Sequence, residues 1–157
     1  MCSWVRIGVG AWVGAALSLV VSLPSLPASA AERDLLQPRV PKDQIEAAKA
    51  VKNPFPATPE NIAKGDGLFH SKGTCFVCHG VKGLGDGPAA VGLDPSPRNF
   101  ANPEFHRART DGELFWVMKN GSAGTAMVPV IGSVIDEDEA WLILLYERSL
   151  GQRAAGS

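Results

Sequence analysis

The segment that decides the fold is Cys75-Phe76-Val77-Cys78-His79, in the middle of a chain of 157 residues. It places two thiols about one helical turn apart and an imidazole directly after the second thiol. A thioredoxin-like redox pair would need a βαβ context, and no alternating strand pattern of any length is present. A zinc site would need two further ligands at suitable spacing, whereas His70 and His106 are isolated. Neither use of a C-x-x-C pair is favoured here.

Residues 1–30 have the pattern of a secretory signal peptide. A positive charge at Arg6 precedes an apolar run over residues 7–23, and the segment ends in the small residues Ala28-Ser29-Ala30. We expect cleavage after Ala30 and export to the periplasm. The alternative is an uncleaved membrane anchor, because a run of about 17 residues is near the lower limit for spanning a bilayer. The small-residue end and the prolines Pro24 and Pro27 favour cleavage.

The charge balance of the exported chain argues against a nucleic-acid partner. Removing residues 1–30 takes away one of the 15 Lys and Arg residues, so 14 remain against 16 Asp and Glu, and the net charge is −2. Nucleic-acid binding needs a basic surface, which this composition does not supply. The same cleavage removes Cys2 and leaves Cys75 and Cys78, a lone close pair unlike the cysteine-rich framework of a small disulfide scaffold.

In an exported protein, C-x-x-C-H indicates the attachment site of a c-type haem. The thiols of Cys75 and Cys78 can form thioethers with the two vinyl groups on one edge of a porphyrin, and His79 can then reach the iron. The segment 80–103 is rich in Gly and Pro, and a loop of that length is uncommon in a compact domain. One covalently attached haem c would supply the core around which this segment folds.

The second axial ligand of the iron must come from elsewhere in the chain. The candidates are Met118, Met127, His70 and His106. Met127 lies in a loop bounded by Gly and Pro, whereas Met118 lies at helical spacing among Leu and Phe, as a core residue would. We expect His70 at the surface or the haem edge, and His106 facing solvent or a propionate. The pattern therefore favours Met127, and His/Met ligation raises the reduction potential of the iron.

The helix signals predict an all-α domain over residues 58–151, with long loops. Thr58 and Pro59 begin a helix that runs to about residue 72. Thr110 with Glu113, and Asp136 with Glu139, are capping-box pairs for helices over 110–120 and 136–150. We expect the last helix to end before Gly151, with a C-terminal tail at 152–157.

Residues 31–57 form a segment with several prolines that precedes the domain. A short helix over 43–52, capped by Asp43, has only a thin apolar side formed by Ile45, Ala48 and Val51. We expect an N-terminal arm that is laid on the domain or loosely tethered to it, with no chemistry of its own.

Four elements in this order resemble the class I cytochromes c of bacteria, which carry one haem. They are Cys75–His79, Gly85-Asp86-Gly87-Pro88, Gly124-Thr125-Ala126-Met127 and the helix over 136–150 with Trp141 and Tyr146. The resemblance covers roughly residues 58–151 and implies a small helical bundle wrapped around haem c. It also implies that the first and last helices of the domain cross closely, so that Gly65 and Phe69 meet the stretch 141–146.

The resemblance carries further implications for the site. Pro88 matches the family proline whose carbonyl accepts a hydrogen bond from the proximal imidazole, a contact that tunes the iron. Arg98, Asn99 and Trp116 are carried over more weakly as groups that reach the propionates. Val128 departs from the family pattern, because a proline commonly follows the ligand methionine.

The sequence predicts a periplasmic one-electron carrier, without substrate chemistry of its own. Its partners would be a redox-protein donor and acceptor, with membrane-bound oxidoreductases among the candidates. Contact with the membrane is expected only if the N-terminal segment stays uncleaved. The alternatives are a haem c subunit of a larger respiratory oxidoreductase that docks through the arm, and a haem enzyme or gas sensor with an open sixth position. A positive rim for docking, or else an ordinary solvated surface, is formed by Lys72, Lys82, Arg107, Arg109 and Lys119.

Overall fold

The computed structural model describes residues 37–156. The predicted signal peptide, its cleavage site, the first residues of the arm and Ser157 lie outside the described residues. Within 37–156, none of the helices combines the length and the apolar character that crossing a membrane requires.

The described part of the chain is helical and contains no β-strands, and its only β-type pairing is an isolated bridge between Ile131 and Ile135. The all-α prediction is therefore confirmed. The helices are α1 (Ile45–Ala50), α2 (Pro59–His70), α3 (Phe76–His79), α4 (Pro103–Ala108), α5 (Asp111–Asn120) and α6 (Glu137–Ala155).

Helices α2 and α6 cross closely at Gly65. A Cβ at this position would overlap the carbonyl oxygen of Leu142, so only glycine allows the two backbones to come this near. One turn later the fully buried Phe69 packs against Tyr146, with 5.2 Å between the ring centroids. The predicted meeting of Gly65 and Phe69 with the 141–146 stretch is confirmed, and this crossing fixes one side of the core.

The three predicted helix caps of the domain are present. The Thr58 hydroxyl accepts a hydrogen bond from the backbone N–H of Asn61. Thr110 with Glu113 and Asp136 with Glu139 each form a complete capping box, in which side chain and backbone bond reciprocally. Capping satisfies backbone N–H groups that the helix itself leaves unpaired.

The boundaries of three helices differ from the sequence-based expectation. Helix α2 ends at His70 and is followed by a turn, rather than continuing to residue 72. Helix α1 is shorter than predicted and its N-cap is Gln44, with no side-chain cap, so the assignment of Asp43 as a cap is wrong. Helix α6 continues through Gly151 to Ala155, and most of the predicted tail belongs to it.

The continuation of α6 has a packing cause that also explains an unpredicted helix. Asn102 caps α4 and Pro103 begins it, and this short helix sets His106 directly against Gly151. A Cβ at Gly151 would overlap the imidazole of His106. Gly151 therefore admits a neighbouring side chain rather than ending its helix.

The glycine-rich segment after the C-x-x-C-H motif folds back on that motif through backbone hydrogen bonds. The N–H groups of Gly85, Gly87 and Ala89 donate to the carbonyls of His79, Cys78 and Val77, at 2.8–3.1 Å. Gly87 has no room for a side chain, because a Cβ would overlap the Val77 carbonyl. The segment thus lies against the short helix α3 and holds it in place.

The described part of the arm, residues 37–57, is packed on the domain. The carbonyl of Ala48 lies so close to Gly112 of α5 that a Cβ there would overlap it. The Asn53 side chain donates to the carbonyl of Trp141 at 2.9 Å, and the Trp116 indole N–H donates to the Gln44 side chain at 3.0 Å. The arm is laid on the domain, as one of the two sequence-based options proposed.

Candidate functional site

The two cysteines and His79 line one cavity together with Met127. Its volume is about 260 Å³. Its wall is formed by residues 39–40 of the arm, residues 73–75 with α3, the 93–100 segment, Phe105 of α4, Arg109 with α5, the 122–130 loop and one residue of α6. Met127 lies 48 residues after His79 in sequence, so only the fold brings them together. All four side chains predicted to hold the haem or its iron therefore face a common space.

The His79 imidazole is held in one orientation. Its Nδ1 lies 3.0 Å from the carbonyl oxygen of Arg98, which can only accept, so Nδ1 carries the proton and donates. The Phe100 ring stacks on the imidazole, with 4.4 Å between centroids and 22° between planes. Burial lowers the pKa of His79, which favours the neutral ring. The Nε2 lone pair is therefore left for a metal ion.

The acceptor for His79 corrects one prediction. Pro88 was expected to offer its carbonyl to the proximal imidazole, but it is exposed and does not line the cavity. The residues beside it bond instead to the backbone of α3. Arg98, placed by Pro95 and Pro97 in a non-helical segment, supplies the carbonyl in its place.

The two cysteines are free thiols. Burial, and secondarily the negative charge of Glu147, raise the pKa of the Cys75 thiol to about 12. A thiol with so high a pKa is a poor nucleophile for disulfide exchange, because the thiolate is the reactive form. A thioether at this sulfur carries no charge and suits the same buried position.

Met127 is held in its loop by backbone contacts on both sides. Its N–H donates to the Thr125 hydroxyl at 3.1 Å, and its carbonyl accepts from the N–H of Ser122 at 2.9 Å. Val128, which stands where the family commonly has proline, is largely exposed. Met118 of α5 also lines the cavity, but it is buried in the core cluster.

The two remaining histidines do not line the cavity. The rings of His70 and Phe76 stack 6.0 Å apart, and the two ring nitrogens of His70 lie within 3.0 Å of the Asp66 and Val81 carbonyl oxygens. His106 is half-buried and does not line the cavity, and its Nε2 donates to the carbonyl of Phe100 at 2.6 Å. Of the two expectations for His106, contact with a propionate does not fit this position, because the ring lies beside Gly151 and away from the cavity.

Charged side chains also reach the cavity wall. They are Arg39, Arg98, Arg109, Glu113 and Glu147. Arg109 and Glu113 lie 3.7 Å apart and are nearly inaccessible to solvent, yet Arg109 Nη2 and Glu113 Oε1 have no hydrogen-bond partner within residues 37–156.

Two of the three residues assigned to the propionates do not reach the cavity. Trp116 donates its indole N–H to Gln44, and Asn99 accepts through its side chain from the N–H of Ala101 at 2.8 Å. Arg98 does line the wall. The assignments of Trp116 and Asn99 are therefore wrong, and Arg39 and Arg109 take their place as cationic groups of the wall.

The donor set fits a covalently attached haem. It combines two thiols, one imidazole with a free Nε2, a thioether and a largely apolar wall that also bears cationic groups able to meet carboxylates. The orphaned Nη2 of Arg109 is a buried donor that such a carboxylate would satisfy. In the described residues, no cluster of His, Cys, Asp or Glu is arranged as a separate metal site.

The predicted positive rim is largely neutralised. Lys72 pairs with Glu139 and Lys119 with Glu137, at 2.7 Å and 2.8 Å. Arg107 lies 3.7 Å from Glu104. Arg109 is buried at the cavity, so it does not belong to the surface. Of the two alternatives, the structure favours an ordinary solvated surface with local ion pairs.

Sequence reasoning missed four contributors to the site. They are the Arg98 carbonyl, the Phe100 ring, Arg39 of the arm and Glu147 of α6. A backbone carbonyl leaves no residue-type signal. Glu147 did leave one, because it stands among the apolar residues 143–146 and 150 on the buried side of the last helix.

Comparison with known proteins agrees with this geometry. The family model described as cytochrome c matches residues 62–151, which is more than half of the chain. A solved chain of the Kuenenia stuttgartiensis reducing HAO-like protein complex is similar at 29% identity with a TM-score of 0.54. That match covers 62% of this chain and 46% of the solved chain, so this chain spans less than half of that protein's length. No curated protein matches the chain. The chain therefore belongs to the cytochrome c family, whose domain indicates covalently bound haem c and electron transfer.

Proposed function

We propose that this protein is a class I-type monohaem cytochrome c that works as a periplasmic one-electron carrier. Cys75 and Cys78 would hold the haem through thioethers, and His79 and Met127 would be the axial ligands of its iron. The observation that carries the proposal is the shared cavity, which collects these four side chains from α3 and from a loop 48 residues away.

The haem would supply a ferric/ferrous couple, and the chain's own residues would hold the geometry in which that couple works. The Arg98 carbonyl and the Phe100 ring fix the His79 ring on two sides. Backbone bonds to Ser122 and Thr125 fix the Met127 loop. Ligands held in one geometry in both oxidation states keep the reorganisation on electron transfer small. Because His79 and Met127 would occupy both axial positions, no position would be left for a substrate, and we propose that the protein is not an enzyme.

A haem c subunit of a larger respiratory oxidoreductase is the second candidate. The similarity to a chain of a multi-component HAO-like protein complex favours it specifically. Either role needs a redox-protein donor and acceptor, with membrane-bound oxidoreductases among the candidates, that dock on the exposed part of the site. Size-exclusion chromatography of a periplasmic extract from the native host separates the two roles. A carrier elutes as a monomer, and a subunit co-elutes with partner chains.

The export route is part of the proposal. We infer a signal peptide at residues 1–30, cleaved after Ala30, followed by the arm at 31–57 and the cytochrome c domain from residue 58. Mass spectrometry of the mature protein tests the cleavage site and the attachment of one haem at the same time. The expected mass is that of the chain from Ala31 plus one haem.

The axial ligation is tested by absorption spectra of the oxidised and reduced protein, with and without carbon monoxide. We expect a low-spin c-type spectrum with a sulfur-to-iron band and no response to carbon monoxide. Met127→Ala should abolish the band and open the iron to carbon monoxide. Met118→Leu is the matched control, since Met118 lines the same cavity from α5 and should leave the band unchanged. Loss of the band in Met118→Leu but not in Met127→Ala would contradict the assignment of Met127 and make Met118 the ligand. Carbon monoxide binding by the unaltered protein would contradict the closed site and favour a haem enzyme or gas sensor.

A further inference from the structure

Glu147 is a buried carboxyl group that electron transfer through a fixed pair of axial ligands does not use. It lies in α6 with 6% of its surface exposed, between buried apolar residues of the same helix. Its side chain lines the cavity shared by Cys75 and His79. A carboxyl group at this place costs stability when it is ionised, because burying an ionised group without a partner is unfavourable.

The surroundings of Glu147 provide no counter-charge that is bound to it. Its neighbour Arg148 is committed elsewhere: the guanidinium donates to Asp111 at 2.7 Å and to the carbonyls of His106 and Arg109 at 2.8 Å and 2.7 Å. Within residues 37–156, the Glu147 carboxyl has no hydrogen-bond or ion-pair partner. Burial raises the pKa of Glu147 to about 8, and Arg148 offsets this only in part.

Other titratable or charged groups face α6 or the cavity from the arm, α2, the C-x-x-C-H segment, the 93–100 segment, α4 and α5. They are Arg39, Asp66, Cys75, His79, Arg98, His106, Arg109, Asp111 and Glu113.

Most of these groups are already paired or neutral. Asp66 lies 2.8 Å from His70, Asp111 is bound to Arg148, and Arg109 and Glu113 lie side by side. Burial lowers the pKa of His106, which disfavours its charged form, and its Nε2 is bound to the Phe100 carbonyl. Cys75 would be an uncharged thioether in the mature protein. Glu147 is therefore the carboxyl group that faces the cavity without a partner of its own.

We propose that Glu147 takes up a proton when the site is reduced and releases it when the site is oxidised. This inference rests on the proposed carrier function. One electron enters from a redox-protein donor, and in those molecules whose Glu147 is still ionised, a proton moves from solvent to a carboxylate oxygen, converting COO⁻ to COOH. Both leave again on oxidation. The physical reason is electrostatic: an added electron makes the cavity less positive, and a nearby carboxyl group then binds its proton more tightly.

The test is the reduction potential of the mature protein, measured between pH 6 and pH 10. We expect the proton affinity of Glu147 to rise about tenfold on reduction, so that the potential falls by about 59 mV in total from the acidic to the alkaline limit. Glu147→Gln should remove this fall and hold the potential near the acidic limit of the unaltered protein, since an amide is neutral like the protonated acid. Glu104→Gln, an exposed carboxyl of α4, is the matched control and should keep the fall.

A second measurement keeps the proposal falsifiable if the potential responds to other groups. The reduced-minus-oxidised infrared difference spectrum at pH 8 should contain the C=O band of a protonated carboxyl, and Glu147→Gln should lack it. A fall in potential that is equally large in Glu147→Gln, or a potential that does not change with pH in the unaltered protein, would overturn the assignment. The sulfur-to-iron band, recorded in the same samples, reports on Met127 separately, so failure of the axial ligation and failure of the Glu147 proposal are distinguishable.

Discussion

At the scale of the residue, Glu147 should also make folding depend on pH. Its pKa is raised from 4.5 to about 8 in the folded protein by burial. Above pH 4.5 the carboxyl ionises in the unfolded chain but stays protonated in the folded one, so its effect is to lower stability as pH rises, until the folded pKa is passed. At 1.4 kcal/mol per pKa unit the full effect has an upper limit of roughly 5 kcal/mol.

Glu147→Gln should therefore raise the free energy of unfolding at pH 9 by more than it does at pH 5. Urea unfolding of the haem-loaded protein at the two pH values measures the difference. Glu104→Gln, whose side chain is exposed, should change stability equally and little at both. A Glu147→Gln effect that is the same at pH 5 and pH 9 would contradict a buried carboxyl that titrates in this range.

At the scale of the element, the crossing of α2 and α6 depends on Gly65 and not on its neighbour in the same helix. Gly65→Ala should destabilise the protein by roughly 3 kcal/mol or more, because the Cβ would overlap the backbone of α6 at Leu142. Gly67→Ala is the matched control: nothing lies near a Cβ there, and alanine should stabilise the helix by about 0.5–1 kcal/mol. Thermal unfolding of the two variants compares them. Equal effects of the two substitutions would mean that the helices do not pack this closely.

At the scale of the whole molecule, the arm is a wall of the cavity and not an independent tether. Arg39 lines the cavity with Val40, and Val40 is buried. Gly112→Ala should push the arm off α5, because the Cβ would overlap the Ala48 carbonyl. We expect a loss of roughly 2 kcal/mol in stability and faster backbone hydrogen exchange over residues 40–51.

The control for the arm is Lys119→Ala on the same helix, which removes only an exposed ion pair with Glu137 and should change stability by less than about 1 kcal/mol. Exchange over 40–51 that is unchanged in Gly112→Ala would show that the arm does not depend on this contact. The arm's position also bears on the alternative in which it docks a partner, since its described part is already engaged with the domain.

What the sequence determined by itself is local. The C-x-x-C-H spacing predicted the attachment segment, and the caps Thr58, Thr110 and Asp136 were read correctly because each acts within three residues of its partner. The all-α class followed from the same signals, and the close crossing at Gly65 came from the family resemblance. The family itself is recognisable from the motif and from the order of the elements around it.

Only the tertiary structure decided the contacts between residues far apart in the chain. The acceptor for His79 is the carbonyl of Arg98 and not of Pro88, and a carbonyl is present at every residue, so no residue type marks it. Gly151 does not end its helix because His106 lies against it, and nothing near Gly151 in sequence specifies that neighbour. Likewise, a glutamate on an apolar helix face becomes a cavity group only when α6 packs beside Cys75. Spacing and capping act over a few residues and are written in the sequence, whereas burial and charge surroundings are properties of the packed chain.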